Sequence, residues 1–360
     1  MSFVSVRLYN FRNLQDALVD TDANEVFLVG DNGQGKTNFL EAIYFVCYAA
    51  SFRTRRDEVI RRNGAAEMAV EGRFTTDAGS HSVLVKQAGR RRQIELDGAP
   101  VDDRKEIIGN VPCIVFCHDD IAFVTGSPDM QRWFMNQTQS LVAPAFIAQL
   151  RRYGHVLRTR NAAIKDRRVE LLDAIDAQLV ESGIPLVRQR SQLSERFNAA
   201  LTSLFASVFD EERHLTLTYE PSWSHPDSDI EALSAETFAS RARDLELRTT
   251  TRGPHRDRFV FRLDGRPLTD VASTGQLRLV SLILRVAQAS LLADVTRRLP
   301  VLLLDDVLLE LDPARRGRFV DSLPDYEQAF FTFLPDEQYA RFRGATTRLY
   351  RVRGGVLTNA

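Results

Sequence analysis

The sequence predicts an α/β fold, in which the two ends of the chain build one lobe and a mostly helical lobe is inserted between them. An apolar run over 26–29 ends at Gly30 and is followed by helical spacing over 39–49, which indicates a strand, a loop and a helix. Long helical patterns then fill 144–209. A fully apolar run over 301–304 indicates a buried strand near the other end of the chain. We therefore expect both ends to belong to the same lobe.

The lobe boundaries follow these changes of pattern. Lobe I is predicted to comprise 1–116 and 247–360, and lobe II to be the insertion 117–246. The stretch 221–229, rich in Pro, Ser and Asp, is predicted to be a loop. The remaining predicted elements are strands over 4–8, 68–74, 81–86, 93–96, 111–116, 258–263 and 329–334, and helices over 144–168, 170–181, 184–209 and 275–292.

Composition excludes several classes of protein. A chain of 360 residues with 44% hydrophobic and 26% charged side chains can bury a full core, so wholesale disorder is excluded. The longest apolar stretch, 42–50, is about half of the ~20 residues that a membrane-spanning helix needs. The sequence therefore predicts a cytoplasmic protein with no membrane partner. Cys113 and Cys117 have no second cysteine pair with which to form a metal site, and reduced thiols are expected.

The numbers of basic and acidic residues are nearly equal, but Arg greatly outnumbers Lys among the basic residues. The chain has 47 basic and 48 acidic residues, and 43 of the basic residues are Arg and only 4 are Lys. A net charge of −1 lacks the global positive balance typical of many nucleic-acid-binding proteins. Any polyanionic partner must therefore be bound by a local patch.

The loop after the first apolar run carries a phosphate-binding motif of Gly, four residues, Gly, Lys and Thr. The motif is Gly30, Asp31, Asn32, Gly33, Gln34, Gly35, Lys36 and Thr37. Glycines let the backbone N–H groups point inward at phosphates, and the N-terminus of the following helix adds its dipole. Lys36 can reach the β and γ phosphates of a nucleotide, and the Thr37 hydroxyl suits Mg²⁺. The predicted strand before the loop and helix after it make the motif specific.

A nucleotide site of this kind also needs a carboxylate at the end of a neighbouring strand. Asp305 and Asp306 directly follow the apolar run 301–304. We predict that Asp305 binds the metal and that Asp306, on the other side of the strand end, orients an attacking water. Taken alone, such a run could equally end in a solvated acidic turn.

A third motif opens the helix predicted over 275–292. The residues Ser273, Gly275 and Gln276 place a hydroxyl and free N–H groups at a helix N-terminus, which is an anion site but also an ordinary helix cap. The order of the motifs is more specific than any one of them, because the phosphate loop is followed by the helical insertion, the Ser-x-Gly-Gln helix and the strand with Asp305.

In this order the chain resembles the ATP-binding cassette (ABC) superfamily in its chromosome-maintenance branch, and within it the RecF family of recombination mediators. The segments that carry the resemblance are 10–13, 30–37, 40–44, 51–54, 126–128, 160–161, 253–257, 273–276, 305–307 and 310–312. They span essentially the whole chain in the family's order. Departures from the family pattern occur at 116–121 and 131–136, which join the lobes, and at Leu309, where relatives carry Ser.

The resemblance implies a mechanism and a set of partners. It implies an ABC-type ATPase head that binds ATP and Mg²⁺ and forms an ATP-dependent homodimer. In this dimer Ser273, Gly275 and Gln276 of one subunit act in trans on nucleotide at Lys36 of the other. It also implies a role in recombinational repair, replication restart and the SOS response, helping to load recombinase with RecR and RecO. Arg12 and Asn13 are candidates to line the nucleotide, although an exposed turn is equally consistent with the sequence.

Two details favour slow ATP hydrolysis. They predict a weak ATPase that DNA stimulates and that acts as a switch. Asp306 is one methylene shorter than the Glu of most transporter cassettes, and Thr332 stands where those proteins have His. Both changes weaken the activation of water.

Clusters of Arg are candidate contacts to single-stranded, gapped or junction DNA, and this assignment comes from the resemblance rather than from the charge. The candidates are Arg53, Arg55, Arg56, Arg151, Arg152, Arg158 and Arg160. Solvated helix faces paired with nearby acids are the competing interpretation of each cluster.

Two other functions were weighed. The nucleotide-binding subunit of a transporter is disfavoured by Asp306 and Thr332. A defence ATPase of the overcoming-lysogenization type needs a nuclease domain, for which too few residues follow Thr332. His255-Arg256-Asp257 matches part of a kinase catalytic loop, but position 262 is Arg rather than Asn, and the role of this segment stays open.

Overall fold

The computed structural model describes residues 2–54, 56–76, 79–109, 111–209, 211–224, 230–309, 311–337, 339–344 and 346–360. Arg55, a candidate DNA contact, and Glu310, part of the family-type segment 310–312, lie outside the described residues.

The strands of the described residues are β1 (Ser2–Tyr9), β2 (Ala17–Asp20), β3 (Glu25–Val29), β4 (Glu67–Thr76), β5 (Gly79–Ala88), β6 (Arg91–Leu96), β7 (Ala99–Val101), β8 (Cys113–Phe116), β9 (Leu215–Glu220), β10 (Arg258–Leu263), β11 (Arg266–Pro267), β12 (Val301–Leu304), β13 (Gln328–Phe333), β14 (Thr347–Arg353) and β15 (Val356–Asn359).

The α-helices are α1 (Lys36–Tyr48), α2 (Lys105–Ile108), α3 (Ala122–Thr125), α4 (Pro128–Val142), α5 (Ala145–Lys165), α6 (Leu172–Phe209), α7 (Ile230–Leu247), α8 (Leu268–Val271), α9 (Thr274–Thr296) and α10 (Pro313–Asp321). Short 3-10 helices cover Asp57–Val59, His118–Ile121, Val169–Leu171, Pro254–Arg256 and Tyr339–Phe342.

The chain divides into two compact units. The first comprises Met1–Asp119 and Gln288–Ala360, and the second comprises Asp120–Ala287. The second unit extends further along the chain than the predicted insertion 117–246. The reason is that β10 pairs antiparallel with β9 from Arg258 to Leu263, which ties the stretch after 246 to the inserted segment.

The first unit contains a mostly parallel sheet with strand order β15-β14-β3-β13-β12-β8. β3 lies between β14 and β13 and is parallel to both, and its apolar residues 26–29, which alternate between the two faces of the sheet, are all buried. Because β3, β12 and β13 are parallel, the residues that follow them meet at the same edge of the sheet. The sheet therefore brings the loop after β3 and the acidic turn after β12 together, although 268 residues separate Thr37 from Asp305. Strands β14 and β15 were not predicted from the sequence.

An antiparallel sheet with order β2-β1-β4-β5-β6-β7 completes the strands of the first unit. Within it β6 and β7 form a hairpin whose turn is Asp97 and Gly98, and β5 pairs antiparallel with β6. The side chain of Gln328, at the start of β13, bonds to the backbone of Phe3, which fastens this sheet to the parallel one.

The second unit packs α4 to α7 with a small antiparallel sheet of order β11-β10-β9. The prediction of two helices over 170–181 and 184–209 was wrong, because α6 is continuous from Leu172 to Phe209. Gly183 does not break this helix but admits a neighbour, since a Cβ there would lie 2.4 Å from the ring of Trp223. The break predicted between residues 181 and 184 is therefore absent, and Pro185 also lies inside the helix.

One described helix, α9, is long and apolar enough to span a bilayer by length and composition alone. Of its most apolar stretch, 67% is buried inside the fold. A buried core helix meets the same criteria, so the finding is weak support for a membrane span.

Candidate nucleotide-binding site

The loop 30–37 leaves the carboxyl end of β3 and enters α1, as predicted. Gly35 has φ of 118°, a region that favours glycine, and a Cβ there would lie 2.9 Å from Leu14. At Gly30 a Cβ would lie 2.3 Å from the carbonyl oxygen of Val352, so β14 leaves no space for a side chain. The backbone is therefore free to wrap around an anion only because these positions are glycine.

The rest of the loop is held from one side and open on the other. The Gln34 side-chain oxygen accepts a hydrogen bond from the Gly354 N–H at 2.6 Å, and its backbone carbonyl accepts one from Gly355 at 2.9 Å. Asp31 and Asn32 are exposed. The turn between β14 and β15 thus fixes the loop, while its other side faces solvent.

Lys36 is buried, with only 3% of the residue exposed. Its Nζ donates hydrogen bonds to the carbonyl oxygens of Gly30 at 2.6 Å and Asp31 at 3.3 Å. Within the described part of the chain no carboxylate forms an ion pair with it. A buried ammonium with only neutral partners is an incompletely compensated charge, which makes it a strong binding group for an anion.

Thr37 and Asp305 meet as predicted. The Thr37 hydroxyl donates a hydrogen bond to Asp305 Oδ1 at 2.8 Å. Burial raises the pKa of Asp305 to about 6, against the lowering effect of the Thr37 hydrogen bond, and the charge of Asp306 raises it further. Two adjacent oxygen donors, one of them a carboxylate whose ionised form is destabilised without a cation, fit the ligand preference of Mg²⁺.

Asp306 is held by Thr332 on β13. The Asp306 N–H donates to the Thr332 hydroxyl at 2.7 Å, and this hydroxyl lies 2.7 Å from Asp306 Oδ1, to which it donates. Asp306 has φ of 53°, an uncommon value for a residue with a side chain. Thr332, which stands where transporter cassettes have His, therefore fixes the conformation of Asp306, the carboxylate predicted to orient water.

Arg12 and Asn13 lie beside the loop but differ in role. Arg12 donates through Nε and Nη2 to the fully buried carboxylate of Glu41, at 2.9 and 2.7 Å. Asn13 donates to the carbonyl of Gly33 at 3.4 Å and accepts a bond of 2.7 Å from Asn38. Asn13 thus contacts the phosphate loop directly, whereas the Arg12 guanidinium is committed to Glu41.

Arg53, a candidate DNA contact, also belongs to this neighbourhood. Its Nη1 donates to Asn38 Oδ1 at 2.7 Å and lies 3.5 Å from Glu41, and 42% of the side chain is exposed. Its positive charge helps to lower the pKa of Asp305, against the dominant effect of burial. Glu41 therefore gathers two guanidinium groups beside α1, a role that sequence reasoning missed because its partners come from separate loops.

The Ser-x-Gly-Gln segment opens α9 in the second unit. The Ser273 N–H donates to Gln276 Oε1 at 2.9 Å, and the Gln276 N–H donates to Ser273 Oγ at 3.3 Å, which is a reciprocal cap. Ser273 and Gly275 are exposed, and no atom lies within 4 Å of the Cβ position of Gly275. The helix start is thus capped and open to solvent.

The candidate DNA contacts on α5 fall into two classes. Arg151, Arg152 and Arg158 are exposed, and Arg152 forms an exposed ion pair with Glu181 at 3.0 Å. The assignment of Arg160 was wrong, because its side chain is 0% exposed. It donates to Asp176 Oδ1 and Asp244 Oδ2, both at 2.6 Å, and to Thr250 at 2.9 Å. Arg56 is exposed directly before the 3-10 helix Asp57–Val59.

The segment with His255 and Asp257 has a structural role in the second unit. Asp257 Oδ2 accepts hydrogen bonds from Arg190 Nη1 at 2.7 Å and from the Tyr219 hydroxyl at 2.5 Å. Burial lowers the pKa of His255 to about 4, so the ring is neutral near pH 7. In that form Nε2 donates to the Thr250 carbonyl at 3.0 Å and Nδ1 accepts from Tyr153 at 2.7 Å.

Comparison with known proteins identifies the family. A family model described as RecF/RecN/SMC N terminal domain matches residues 3–358. The DNA replication and repair protein RecF of Treponema pallidum (strain Nichols) is 41% identical over 353 residues, which cover 96% of this chain and 98% of that protein. The chain belongs to the RecF family. The RecF protein of Anaeromyxobacter sp. (strain Fw109-5) is 33% identical over 367 residues, covering 99% of both chains. The prediction made from the motif order is confirmed.

Solved structures share the fold. The recombination mediator protein RecF-ATP in the RecFOR pathway has a TM-score of 0.90 at 23% identity, covering 100% of this chain and 99% of that chain. An Smc head bound to the C-winged helix domain of ScpA has a TM-score of 0.58 at 14% identity, covering 100% and 97%. The predicted α/β fold of an ABC-type ATPase head is thus confirmed for this RecF-family chain.

Proposed function

We propose that this RecF-family chain binds ATP with Mg²⁺ at the loop 30–37. The observation that carries the proposal is the contact of 2.8 Å between the Thr37 hydroxyl and Asp305, next to a buried Lys36 that has only carbonyl partners among the described residues. This arrangement holds an uncompensated cation and an oxygen pair suited to a divalent metal at the end of one sheet. The related RecF solved as RecF-ATP supports the same ligand.

The site can bind and orient a nucleotide with its own residues. The loop N–H groups and Lys36 neutralise the phosphates, and Thr37 and Asp305 hold the metal. When bound, Mg²⁺ supplies charge neutralisation at the phosphate oxygens. Asp306, fixed by Thr332, orients the attacking water and accepts its proton.

We further propose that ATP joins two copies of the chain in a twofold dimer. Ser273, Gly275 and Gln276 form a helix N-terminus that is open to solvent, and such a terminus favours the γ phosphate of a nucleotide bound by a neighbouring copy. A ligand enclosed by two subunits stabilises the dimer by mass action. Hydrolysis removes the γ phosphate and with it the contacts that favour the closed state.

Hydrolysis in this scheme is slow and stimulated by DNA. Asp306 is short and already bonded to Thr332, which limits its freedom to follow a substrate. We expect kcat well below the ~1–100 s⁻¹ typical of kinases. The chain thus acts as a switch rather than as a metabolic ATPase.

The proposed cellular role is recombinational repair and replication restart in the cytoplasm, linked to the SOS response. Relatives are named DNA replication and repair protein RecF, and a solved relative is the recombination mediator of the RecFOR pathway. We propose that the chain binds single-stranded, gapped or junction DNA and helps RecR and RecO to load recombinase. Arg151, Arg152 and Arg158 remain the best candidate phosphate contacts because they are exposed on one helix.

The dimer proposal is tested by size-exclusion chromatography with light scattering, with Mg-ATP, with Mg-ADP and without nucleotide. We expect a dimer only with Mg-ATP, and none for Lys36→Met. A wild-type chain that stays monomeric with saturating Mg-ATP would refute the dimer.

Action in trans is tested by mixing two inactive variants, Lys36→Met and Ser273→Arg. In a mixed dimer, one site combines both defects and the other combines an intact loop with an intact helix start. The mixture therefore regains ATPase activity if the helix start acts in trans. If each subunit uses its own Ser273, the mixture stays inactive.

A further inference from the structure

A polar side chain outside the motif 30–37 lies directly after it. Asn38 is in the first turn of α1, next to Thr37, and its amide is hydrogen-bonded at both ends. Its Nδ2 donates to Asn13 Oδ1 at 2.7 Å, and its Oδ1 accepts from Arg53 Nη1 at 2.7 Å. An Arg side chain only donates hydrogen bonds, so the contact with Arg53 fixes which end of the amide is the oxygen. The Asn38 Nδ2 group is therefore held towards Asn13.

The side chain of Asn13 lies against the phosphate loop. Its Nδ2 donates to the Gly33 carbonyl at 3.4 Å. A Cβ at Gly35 would lie 3.2 Å from Asn13 Oδ1, so the amide packs over two glycines of the loop. The bond to Gly33 is long for an N–H···O contact, and its geometry therefore depends on what holds Asn13. The shorter bond, from Asn38 to Asn13, supplies that support.

The Gly33 carbonyl sets the direction of an N–H group of the loop. The peptide bonds of the loop are trans, so the C=O of one residue and the N–H of the next point in opposite directions. A partner for the Gly33 carbonyl therefore aims the Gln34 N–H away from that partner, and this N–H donates no hydrogen bond within the described part of the chain. The next peptide is fixed in the same way, because the Gln34 carbonyl accepts from the Gly355 N–H at 2.9 Å. Asn13 and Gly355 thus each orient one N–H group that an anion can bind.

We propose that Asn38 is a positioning residue for the phosphate loop. Its amide, oriented by Arg53, holds Asn13 in place. Asn13 in turn fixes the Gly33–Gln34 peptide, so that its N–H is directed at a phosphate of the nucleotide. The inference rests on the nucleotide binding proposed above. Because Asn38 acts by ordering the loop before the anion binds, its loss should change the affinity for Mg-ATP and not the chemical step.

The test is Asn38→Ala, which removes both bonds of the amide without adding a charge beside the phosphates. We expect the dissociation constant for Mg-ATP to rise about fivefold, the effect of losing about one hydrogen bond between neutral groups. The kcat at saturating Mg-ATP should stay unchanged, because Asp305, Asp306 and Thr332 keep their contacts. Isothermal titration and steady-state kinetics measure the two quantities.

A double-mutant cycle shows whether Asn38 acts through Asn13. Asn13→Ala removes the contact with Gly33 directly and should raise the dissociation constant by at least the same factor. If Asn38 acts only through Asn13, the double variant should bind Mg-ATP as weakly as Asn13→Ala alone. Effects of the two substitutions that multiply would show that Asn38 acts independently, and they would overturn the inference.

The matched control is Asn198→Ala in α6. Asn198 also makes one bond through each end of its amide, donating to the Leu217 carbonyl at 2.9 Å and accepting from the Leu217 N–H at 2.7 Å. It lies in the second unit and belongs to none of the segments of the nucleotide site. Its loss should lower the melting temperature but leave the dissociation constant for Mg-ATP unchanged. A rise as large as in Asn38→Ala would show a general loss of packing and contradict a specific role in the loop.

The remaining outcomes separate this inference from the proposed function. A wild type that binds Mg-ATP, with equal affinity in Asn38→Ala, overturns the role of Asn38 alone. A lower kcat at saturation in Asn38→Ala would place its effect on the chemical step and overturn the inference as well. A wild type that does not bind Mg-ATP refutes the proposed function and, with it, this inference.

Discussion

The two compact units place charged side chains in opposite situations. In the second unit three buried guanidinium groups each have a carboxylate partner: Arg160 with Asp244 at 2.6 Å, Arg190 with Asp257 at 2.7 Å, and Arg285 with Asp120 at 2.7 Å. In the first unit, Lys36 has carbonyl partners, and the pKa of Asp305 is raised by burial.

This difference distinguishes charges that hold the fold together from charges that are available to bind a ligand. A buried charge that is paired with an opposite charge of its own unit holds elements together, and it is compensated without a ligand. A buried charge with too few partners is unfavourable in the free protein and is relieved when a ligand of opposite charge binds. Arg12 and Glu41 are likewise a compensated ion pair inside the first unit, and this pair braces the loop rather than forming part of the open site.

The largest effect is expected from Arg160→Ala, which removes a buried cation that is paired with two carboxylates. It leaves the buried carboxylates of Asp176 and Asp244 without their cation, so the free energy of unfolding should fall by about 3–5 kcal/mol. Chemical denaturation measures it. Arg158→Ala, on the exposed side of the same helix, is the control and should stay within about 0.5 kcal/mol of the wild type. Equal stability of the two variants would contradict the framework role of Arg160.

Asp305→Asn should raise the free energy of unfolding, because it removes a buried charge that has too few partners. The pKa of Asp305 is raised from 3.8 to about 6, so the folded state disfavours the ionised form above pH 6 and the penalty is relieved as the pH falls from 6 towards 4. Without Mg²⁺, the variant should be more stable than the wild type by about 2–3 kcal/mol at pH 8, since each pKa unit is worth about 1.4 kcal/mol.

The stability difference between wild type and Asp305→Asn should shrink steadily between pH 6 and pH 4, and denaturation across this range measures it. With Mg-ATP present the order should reverse, because only the wild type keeps the metal ligand. A variant that is less stable than the wild type at pH 8 without metal would contradict an open site.

Thr332→Val should loosen Asp306 without changing the size of the side chain. The loss of the two bonds at 2.7 Å should lower kcat about tenfold, equivalent to about 1.4 kcal/mol, while Mg-ATP affinity stays unchanged. Steady-state kinetics with an equilibrium binding assay test this. Thr332→Ser keeps the hydroxyl and serves as the control; a Val variant as fast as the Ser variant would show that Asp306 needs no support.

The smallest effects on stability are expected on the exposed face of α5. Arg152→Ala removes an ion pair whose side chains are 60% and 58% exposed, so unfolding should change by less than about 0.5 kcal/mol. If Arg151, Arg152 and Arg158 contact phosphates, each Ala variant should weaken DNA binding about equally for all sequences and reduce the salt slope by about 1. Arg213→Ala, an exposed ion-paired residue away from α5, should change neither. Unchanged DNA binding in all three variants would reject this face.

The sequence predicted the nucleotide site well because its parts are local. The loop 30–37 is contiguous, and Asp305 directly follows an apolar strand, so the parallel sheet brings the two together by its topology. The buried ion pairs of the second unit could not be predicted in this way. Arg160 is separated from Asp176 by 16 residues and from Asp244 by 84, and nothing in the local pattern distinguishes it from Arg158.

Other features depend on packing that the sequence pattern does not reveal. Helix α6 runs without a break through Gly183 and Pro185, two residue types that suggest a helix end, and the ring of Trp223 occupies the space beside Gly183. Asn38 directly follows the motif 30–37, but its partners Asn13 and Arg53 lie 25 and 15 residues away along the chain, and local spacing does not pair them. Strands β14 and β15 were not predicted from the sequence. The close approach of Val352, in β14, to Gly30 was therefore not predicted either.

The central claim, that the open charges of the first unit form an ATP site, is tested most directly by isothermal titration of the full chain with ATP in the presence of Mg²⁺. The wild type should bind, and Lys36→Met should lose at least about 100-fold in affinity, equivalent to about 2.8 kcal/mol, with a melting temperature no lower than that of the wild type. Equal affinity of Lys36→Met and the wild type, or no binding by the wild type, would contradict the account.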